Sequence, residues 1–171
     1  MKDCLLYKII RPIITFVFKV FLTPKIIGTE NIPGSGRVIL AGNHTSIFDA
    51  PLLISCTKRN VHFLAKKELW KGPKKIIFGN LGLIPVDRKT RDGNALIVAE
   101  KYLKNEKLIG IFPEGTTEKE GRMLKFKKGA VKMAVDTNSP IVPFVITGKY
   151  KFFSKSLTIR FLEPIKCNEN I

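Results

Sequence analysis

A histidine and an aspartate lie five residues apart in the stretch "NHTSIFD", residues 43–49. His44 is one of two histidines in the chain. An unperturbed imidazole titrates at about pH 6.5 and can accept a proton at neutral pH. Asp49 can hold the other ring nitrogen and stabilise the imidazolium that forms. Residues five apart on a regular helix differ by about 140° and do not face each other. His44 is therefore expected in the turn before a helix, with Asp49 reaching back from its first turn.

The same stretch has a second interpretation. Ser46 and Asp49 form the Ser-x-x-acid pattern of a capping box, in which the acidic side chain satisfies backbone N–H groups at the start of a helix. The two interpretations are compatible, because Asp49 can both cap the helix and orient His44.

The residues around His44 do not include an obvious nucleophile. Thr45 and Ser46 follow it directly, but neither lies in the Gly-x-Ser-x-Gly pattern of a nucleophile elbow. A base and an orienting carboxylate without a nucleophile suggest that the substrate brings its own hydroxyl. His44 would then deprotonate an alcohol that attacks an activated acyl or phosphoryl group directly.

Two further stretches carry residues suited to binding a phosphorylated or hydroxylated substrate. The first, "GLIPVDR", ends in Arg88, whose guanidinium offers a fixed set of donors for phosphate. The second, "FPEGT", holds Glu114 after a predicted strand, where it can receive substrate hydroxyls. A solvated basic turn and a solvated loop glutamate are the alternatives. The second histidine, His62, alternates with apolar neighbours and is predicted to be structural.

Short strands and helices alternate along the chain and would position these residues. The predicted strands are "RVILAGN", "VHFLAK", "KLIGIF", "PIVPFVI" and "LTIRFLEPI", and the predicted helices are "DAPLLISCTK", "GNALIVAEKYLKNE" and "KKGAVKMAVDTN". This alternation predicts a single α/β domain with a mostly parallel or mixed central sheet flanked by helices. In such sheets, functional residues gather on the loops after the carboxyl ends of strands, which is where the stretches above lie.

Composition narrows the classes of partner. The 171 residues suit one domain, and 30 Lys and Arg against 14 Asp and Glu give a net charge of +16. Such a surface attracts nucleic acid, anionic lipid headgroups or phosphorylated substrates. Nucleic acid is not expected, because the aromatic residues are mostly Phe in apolar contexts and no nucleic-acid-binding signature occurs. The three widely spaced cysteines indicate neither a disulfide framework nor a zinc site, and fit a reducing compartment.

The N-terminal stretch, residues 1–24, is predicted to be a separate membrane-associating helix, followed by a catalytic domain over residues 25–171. Lys8, Arg11 and Lys19 interrupt its apolar residues, so it has no uninterrupted apolar run of the length that a membrane span needs. No signal-peptide cleavage site is expected either. These basic residues fall on one helical face beside a broad apolar surface, which is typical of a helix lying in a membrane interface. A core-packing helix is the alternative.

Four of these stretches together resemble the glycerolipid acyltransferases. "NHTSIFD" is similar to the His-x4-Asp motif of that family, and "GLIPVDR", "FPEGT" and "IVPFVI" are similar to its second, third and fourth motifs, in the same order. The resemblance covers roughly residues 25 to 165 and is strongest to the members that acylate 1-acyl-glycerol-3-phosphate. The chain ends at "EPIKCNENI", earlier than many members of the family.

The resemblance implies a role for each matched residue. His44 would deprotonate the acceptor hydroxyl and Asp49 would orient it, while Arg88 would bind the acceptor phosphate. Three residues would shape the glycerol-phosphate pocket, namely Glu114, Gly115 and Thr116. Asn43 and Pro143 would support the site, Pro143 on the side of the acyl donor.

The resemblance also implies a reaction and a location. A fatty acyl group would pass from acyl-CoA or acyl-carrier protein to the sn-2 hydroxyl of lysophosphatidic acid, giving phosphatidic acid without a covalent acyl-enzyme. No metal and no cofactor are expected. The protein would be peripheral or monotopic on the cytoplasmic face of the cell membrane, in contact with anionic lipids. The alternatives are another acceptor, such as glycerol-3-phosphate or another lysolipid, a non-catalytic membrane-binding protein, and a basic nucleic-acid-binding protein.

Overall fold

The computed structural model describes residues 5–70, 72, 78–86, 94–116 and 126–167. Seven strands of this part of the chain form one sheet. They are β1 (Lys25–Ile27), β2 (Val38–Gly42), β3 (Val61–Lys66), β4 (Ile84–Val86), β5 (Leu108–Ile111), β6 (Ile141–Thr147) and β7 (Thr158–Phe161). Their order is β1-β7-β6-β2-β5-β3-β4. All neighbours are parallel except β6 and β7. The predicted α/β domain with a mixed sheet is therefore confirmed.

The longer α-helices of the described residues cover the two faces of the sheet. They are α1 (Leu5–Val17), α2 (Asp49–Cys56), α3 (Asn94–Lys104) and α4 (Gly129–Thr137). Helices α1 and α2 pack against each other, and α3 packs against α4. A π-helical turn, Phe18–Leu22, continues α1.

Strand β2 shows why the core has two halves. Successive side chains of a strand point to opposite faces. Leu40 accordingly joins the buried apolar cluster that contains Leu52 and Phe18. Ile39 joins the other cluster, with Leu103 of α3 and Met133 of α4. Because β2 is buried on both faces, its sequence reads as a continuous apolar run rather than an alternating one.

Helix α1 divides its residues between the core and solvent. Tyr7, Phe18 and Leu22 are buried on the domain side. The hydroxyl of Tyr7 donates to the carbonyl of Arg59 (2.9 Å), and Arg11 Nε donates to the carbonyl of Thr57 (2.7 Å).

Arg11 thus faces the domain, whereas the prediction placed it with Lys8 and Lys19 in one basic stripe of an interfacial helix. The opposite side of the helix exposes apolar side chains, namely Leu5, Ile9, Ile13, Phe16, Val17 and Val20. The buried side of α1 therefore agrees with the core-packing interpretation, and membrane association of the exposed side stays a prediction. No helix in the described residues is long and apolar enough to cross a membrane. The predicted domain boundary at residue 24 stays a prediction.

Gly42, the last residue of β2, allows β6 to approach closely just before the loop that carries His44. A Cβ at Gly42 would overlap the carbonyl oxygen of Phe144 and lie 2.5 Å from its ring. We expect Gly42→Ala to lower the free energy of unfolding by about 3 kcal/mol, because neither a strand carbonyl nor a buried ring can give way. Urea denaturation measures this change.

Gly34→Ala is the matched control. Nothing lies within 4 Å of a Cβ at Gly34. Its free energy of unfolding should change by less than about 1 kcal/mol. If both substitutions changed the free energy of unfolding equally, the close approach of β6 would not be the reason why residue 42 has to be glycine.

Candidate active site

The carboxyl ends of β2 and β5 bring two of the predicted motifs together. These strands are parallel neighbours, with Val38 opposite Leu108 and Ala41 opposite Ile111. The loop after β2 carries His44, and the loop after β5 begins with Phe112. The two rings stack, with their centroids 4.1 Å apart and an interplanar angle of 18°. Sheet register thus places His44 beside the "FPEGT" loop.

Asp49 begins helix α2 and reaches back to His44, as the spacing predicts. His44 Nδ1 lies 2.8 Å from Asp49 Oδ2. The same oxygen accepts the backbone N–H groups of Thr45 (2.6 Å) and Ser46 (2.8 Å). The carboxylate of Asp49 is completely buried, whereas a fifth of the His44 side chain is exposed.

The capping interpretation is correct in part. The Ser46 N–H donates to Asp49, which is one half of a capping box. The other half is replaced, because Ser46 Oγ accepts the N–H of Phe48 (3.2 Å) rather than that of Asp49. Asp49 therefore holds the turn before α2 through the N–H groups of Thr45 and Ser46, and it also holds His44.

A tyrosine that the sequence does not single out completes the environment of Asp49. The hydroxyl of Tyr150 donates to Asp49 Oδ1 at 2.5 Å. Thr45 Oγ1 also approaches that oxygen, at 3.3 Å. Tyr150 lies in the connection between β6 and β7, 101 residues from Asp49. No local pattern around the tyrosine indicates this partnership.

These contacts keep Asp49 ionised. Burial raises the pKa of its carboxyl, but hydrogen bonds from His44, Tyr150 and the Ser46 and Thr45 amides outweigh burial and hold the pKa below its ordinary value. For Tyr150, burial and then the neighbouring Asp49 raise the phenol pKa far above its ordinary value. Tyr150 therefore keeps its proton and donates a hydrogen bond to the carboxylate.

An ionised Asp49 fixes the proton arrangement of His44. A carboxylate only accepts hydrogen bonds, so the ring nitrogen that faces it, Nδ1, must carry the proton. In the neutral imidazole this leaves the lone pair on Nε2. His44 is thus arranged to accept a proton at Nε2 and to share the resulting positive charge with Asp49.

A largely apolar cavity of about 650 Å³ opens beside His44. Its lining includes Ala50, Phe63, Leu83, Leu96, Phe112 and Lys127. Lys127 is the charged member of the lining residues. Its Nζ would lie 2.6 Å from a Cβ at Gly115, so its side chain covers that glycine. The cavity can hold a long apolar group next to an imidazole base.

Phe112, Pro113 and Gly115 of the "FPEGT" loop line this cavity, whereas Glu114 and Thr116 are not among its lining residues. Gly115 lines it and has a φ of +72°, a conformation that favours glycine. Glu114 is buried, so the interpretation of a solvated loop glutamate is wrong. Thr116 is exposed. The backbone N–H of Lys127 donates to the carbonyl of Pro113 (3.0 Å) and ties the start of α4 to the loop.

Asn43 and Pro143 support the site through strand pairing. The amide of Asn43 donates to the carbonyl of Ile146 and accepts the N–H of the same residue, both at 2.8 Å. The side chain thereby continues the pairing of β2 with β6 up to His44. Pro143 lies opposite Ala41 in that pairing. The role of Pro143 on the donor side stays a prediction.

Arg88 lies outside the described residues, and its role as a phosphate ligand stays a prediction. His62, by contrast, has a clear structural environment. Its Nδ1 lies 2.8 Å from the carbonyl of Gly82, and its ring packs edge-on against Tyr102. Burial lowers the pKa of His62, which keeps it neutral.

The sequence and the fold are similar to those of known acyltransferases. A protein named 1-acyl-sn-glycerol-3-phosphate acyltransferase from Borreliella burgdorferi is 35% identical over 133 residues, which are 76% of this chain and 53% of that protein. The human protein named 1-acyl-sn-glycerol-3-phosphate acyltransferase alpha is 34% identical over 75% of this chain and 47% of its own length. The chain thus spans about half the length of these curated relatives.

A crystal structure supports the same relationship. The 1-acyl-sn-glycerophosphate (LPA) acyltransferase PlsC from Thermotoga maritima superimposes with a TM-score of 0.74 and is 30% identical. The match covers 94% of this chain and 68% of that one. The family model named Acyltransferase matches residues 23–147, a range that includes His44, Asp49 and Glu114. The chain therefore belongs to the Acyltransferase family.

Proposed function

We propose that this chain transfers a fatty acyl group from a thioester to the sn-2 hydroxyl of 1-acyl-glycerol-3-phosphate, giving phosphatidic acid. The observation that carries the proposal is the hydrogen-bonded pair of His44 and Asp49 at the edge of an apolar cavity. The names of the curated relatives and of the crystal structure support this acceptor. Acyl-CoA and acyl-carrier protein are the proposed donors.

The hydroxyls beside the base are occupied, which favours direct transfer. Thr45 Oγ1 donates towards Asp49, and Ser46 Oγ accepts the N–H of Phe48. Within the described structure neither hydroxyl donates to His44 Nε2, and the acceptor hydroxyl is the group that we propose there. The substrate then acts as the nucleophile, and no acyl-enzyme forms.

The reaction follows from this arrangement in two steps. His44 Nε2 takes the proton of the sn-2 hydroxyl while its oxygen bonds to the thioester carbonyl carbon, and Asp49 stabilises the imidazolium. The carbonyl oxygen becomes an oxyanion, which needs preorganised donors. The carbon–sulfur bond then breaks, and the leaving thiolate takes the proton from His44. This returns the imidazole to its starting state, with one ester formed and one thiol released.

Two basic residues are proposed to bind the anionic parts of the substrates. Lys127 lines the cavity together with His44, and its ammonium lies over Gly115. Arg88 follows strand β4, and a guanidinium suits a phosphate. The net charge of +16 would attract the phosphorylated acceptor and anionic lipid alike. We propose no metal and no cofactor for this reaction.

The protein is proposed to work at a membrane surface, where its acceptor and product reside. The apolar side of α1 is exposed, and further apolar side chains next to the site are exposed as well: Ile47, Phe48, Phe152 and Phe153. The ring of Phe21 contacts those of Phe152 and Phe153, which joins the end of α1 to the β6–β7 connection. Peripheral binding to anionic lipids on the cytoplasmic face of the cell membrane fits this surface.

The first test of the proposed function is acyl transfer by wild type and His44→Ala. We expect thioester-dependent acylation of lysophosphatidic acid in mixed micelles, with kcat about 10²- to 10⁴-fold lower in the variant because the general base is lost. His62→Gln is the matched control, since it removes the other histidine, which lies in the core. It should lower the melting temperature and keep kcat. Equal turnover of wild type and His44→Ala would contradict the assigned base.

The membrane surface is tested by placing charges on the exposed side of α1. Ile13→Glu/Phe16→Glu should weaken partitioning onto phosphatidylglycerol-containing vesicles by about tenfold or more, because two side chains can no longer enter the interface. Cosedimentation measures the bound fraction. Ile97→Glu is the control. Ile97 is half exposed on α3, which lies on the opposite face of the sheet from α1. Unchanged vesicle binding of the double variant would exclude α1 as the lipid-facing element.

A further inference from the structure

Tyr150 contacts the carboxylate of Asp49 on the side away from His44. Its hydroxyl donates to Oδ1, whereas His44 and two backbone amides occupy Oδ2. The remaining contact to Oδ1 among the described residues is the longer one from Thr45 Oγ1, at 3.3 Å. Tyr150 is therefore the main donor to this oxygen in the described structure.

Three hydrogen bonds hold Oδ2, but none of them acts on the other oxygen of the carboxylate. The terminal torsion of aspartate is broad and roughly two-fold, so rotation about the Cβ–Cγ bond costs little by itself. Rotation would move Oδ2 away from His44 Nδ1 and release the imidazole. A donor on Oδ1 opposes this rotation, because turning the group would break the bonds to both oxygens at once.

Tyr150 is itself held from several sides. Its ring packs edge-on against Phe18, with the centroids 6.5 Å apart, and in a tilted contact against Phe48, at 5.7 Å. Further along the same connection, the N–H of Phe153 donates to the carbonyl of Phe21 (2.6 Å). The π-helical turn, the start of α2 and the β6–β7 connection thus fix the phenol jointly.

We propose that Tyr150 is a positioning residue for acyl transfer: its phenol fixes the Asp49 carboxylate, so that His44 presents Nε2 to the acceptor hydroxyl. The expected effect on kcat rests on the proposed function. The expected effect on the orientation and tautomer of the His44 imidazole does not. Tyr150 acts through Asp49 and is not assigned a contact with the substrate.

Tyr150→Phe tests this role, because it removes the hydroxyl and keeps the ring that packs on Phe18 and Phe48. We expect kcat to fall about tenfold or more, the usual effect of losing a hydrogen bond to a charged group, with both KM values unchanged. Tyr7→Phe is the matched control. Its hydroxyl is also buried and hydrogen-bonded, to Arg59 and Val61, but lies in the contact of α1 with the domain. It should keep kcat.

The Asp49→Ala background separates positioning from a general structural role. If Tyr150 acts through Asp49, Tyr150→Phe causes no further loss of kcat once the carboxylate is gone. A loss of the same size on both backgrounds would overturn the proposal. So would wild-type kcat in Tyr150→Phe, or an effect confined to KM.

A second measurement does not depend on turnover. In protein labelled with ¹⁵N-histidine, His44 and His62 each give a pair of ring-nitrogen signals, and His44→Ala assigns the two pairs. We expect the Nδ1–H tautomer of His44 in wild type and in Tyr7→Phe, and a mixture of tautomers in Tyr150→Phe. If wild type transfers no acyl group, the proposed function fails. An unchanged His44 signal in Tyr150→Phe would then still overturn the role of Tyr150.

Discussion

A fully buried carboxylate is the group on which the active-site geometry depends. Asp49 receives hydrogen bonds from His44, from the N–H and hydroxyl of Thr45, from Ser46 and from Tyr150. An ionised carboxylate without such partners would cost several kcal/mol to bury. The loop after β2, the first turn of α2 and the β6–β7 connection therefore have to take positions that supply these donors. Those positions in turn leave His44 Nε2 available to a substrate.

The sheet provides the rigid frame for this arrangement. Strand β2 lies between β5 and β6, and all three run in parallel. The loops that follow β2 and β5 consequently meet at one edge, where the apolar cavity opens. Helices α1 and α2 pack together on one face of the sheet. The exposed side of α1 and the exposed aromatic residues of the β6–β7 connection lie near each other, because Phe21 contacts Phe152 and Phe153. Tyr150 belongs to this connection and donates to Asp49, so it links the proposed lipid-facing surface to the proposed base, His44.

The sequence predicted the features that depend on short-range patterns. The five-residue spacing placed His44 in a turn before α2, because a regular helix cannot bring it to Asp49. Alternating elements predicted the α/β sheet, but β1 and β4 have only three residues each and carry too little pattern to be recognised. Tyr150 was missed because its partner is remote in sequence. The inward-facing Arg11 was missed because helical periodicity alone does not show which side packs on a domain.

Direct transfer to the substrate hydroxyl can be distinguished from an acyl-enzyme route by the reaction of the protein with acyl donor alone. Wild type is mixed with a slight excess of acyl-CoA or acyl-carrier protein, first without and then with lysophosphatidic acid. Free thiol and the intact mass of the protein are followed in each mixture. We expect no thiol burst and no added acyl mass until the acceptor is present. A thiol burst stoichiometric with protein, together with a retained acyl mass, would show that an acyl-enzyme forms and would rule out direct transfer.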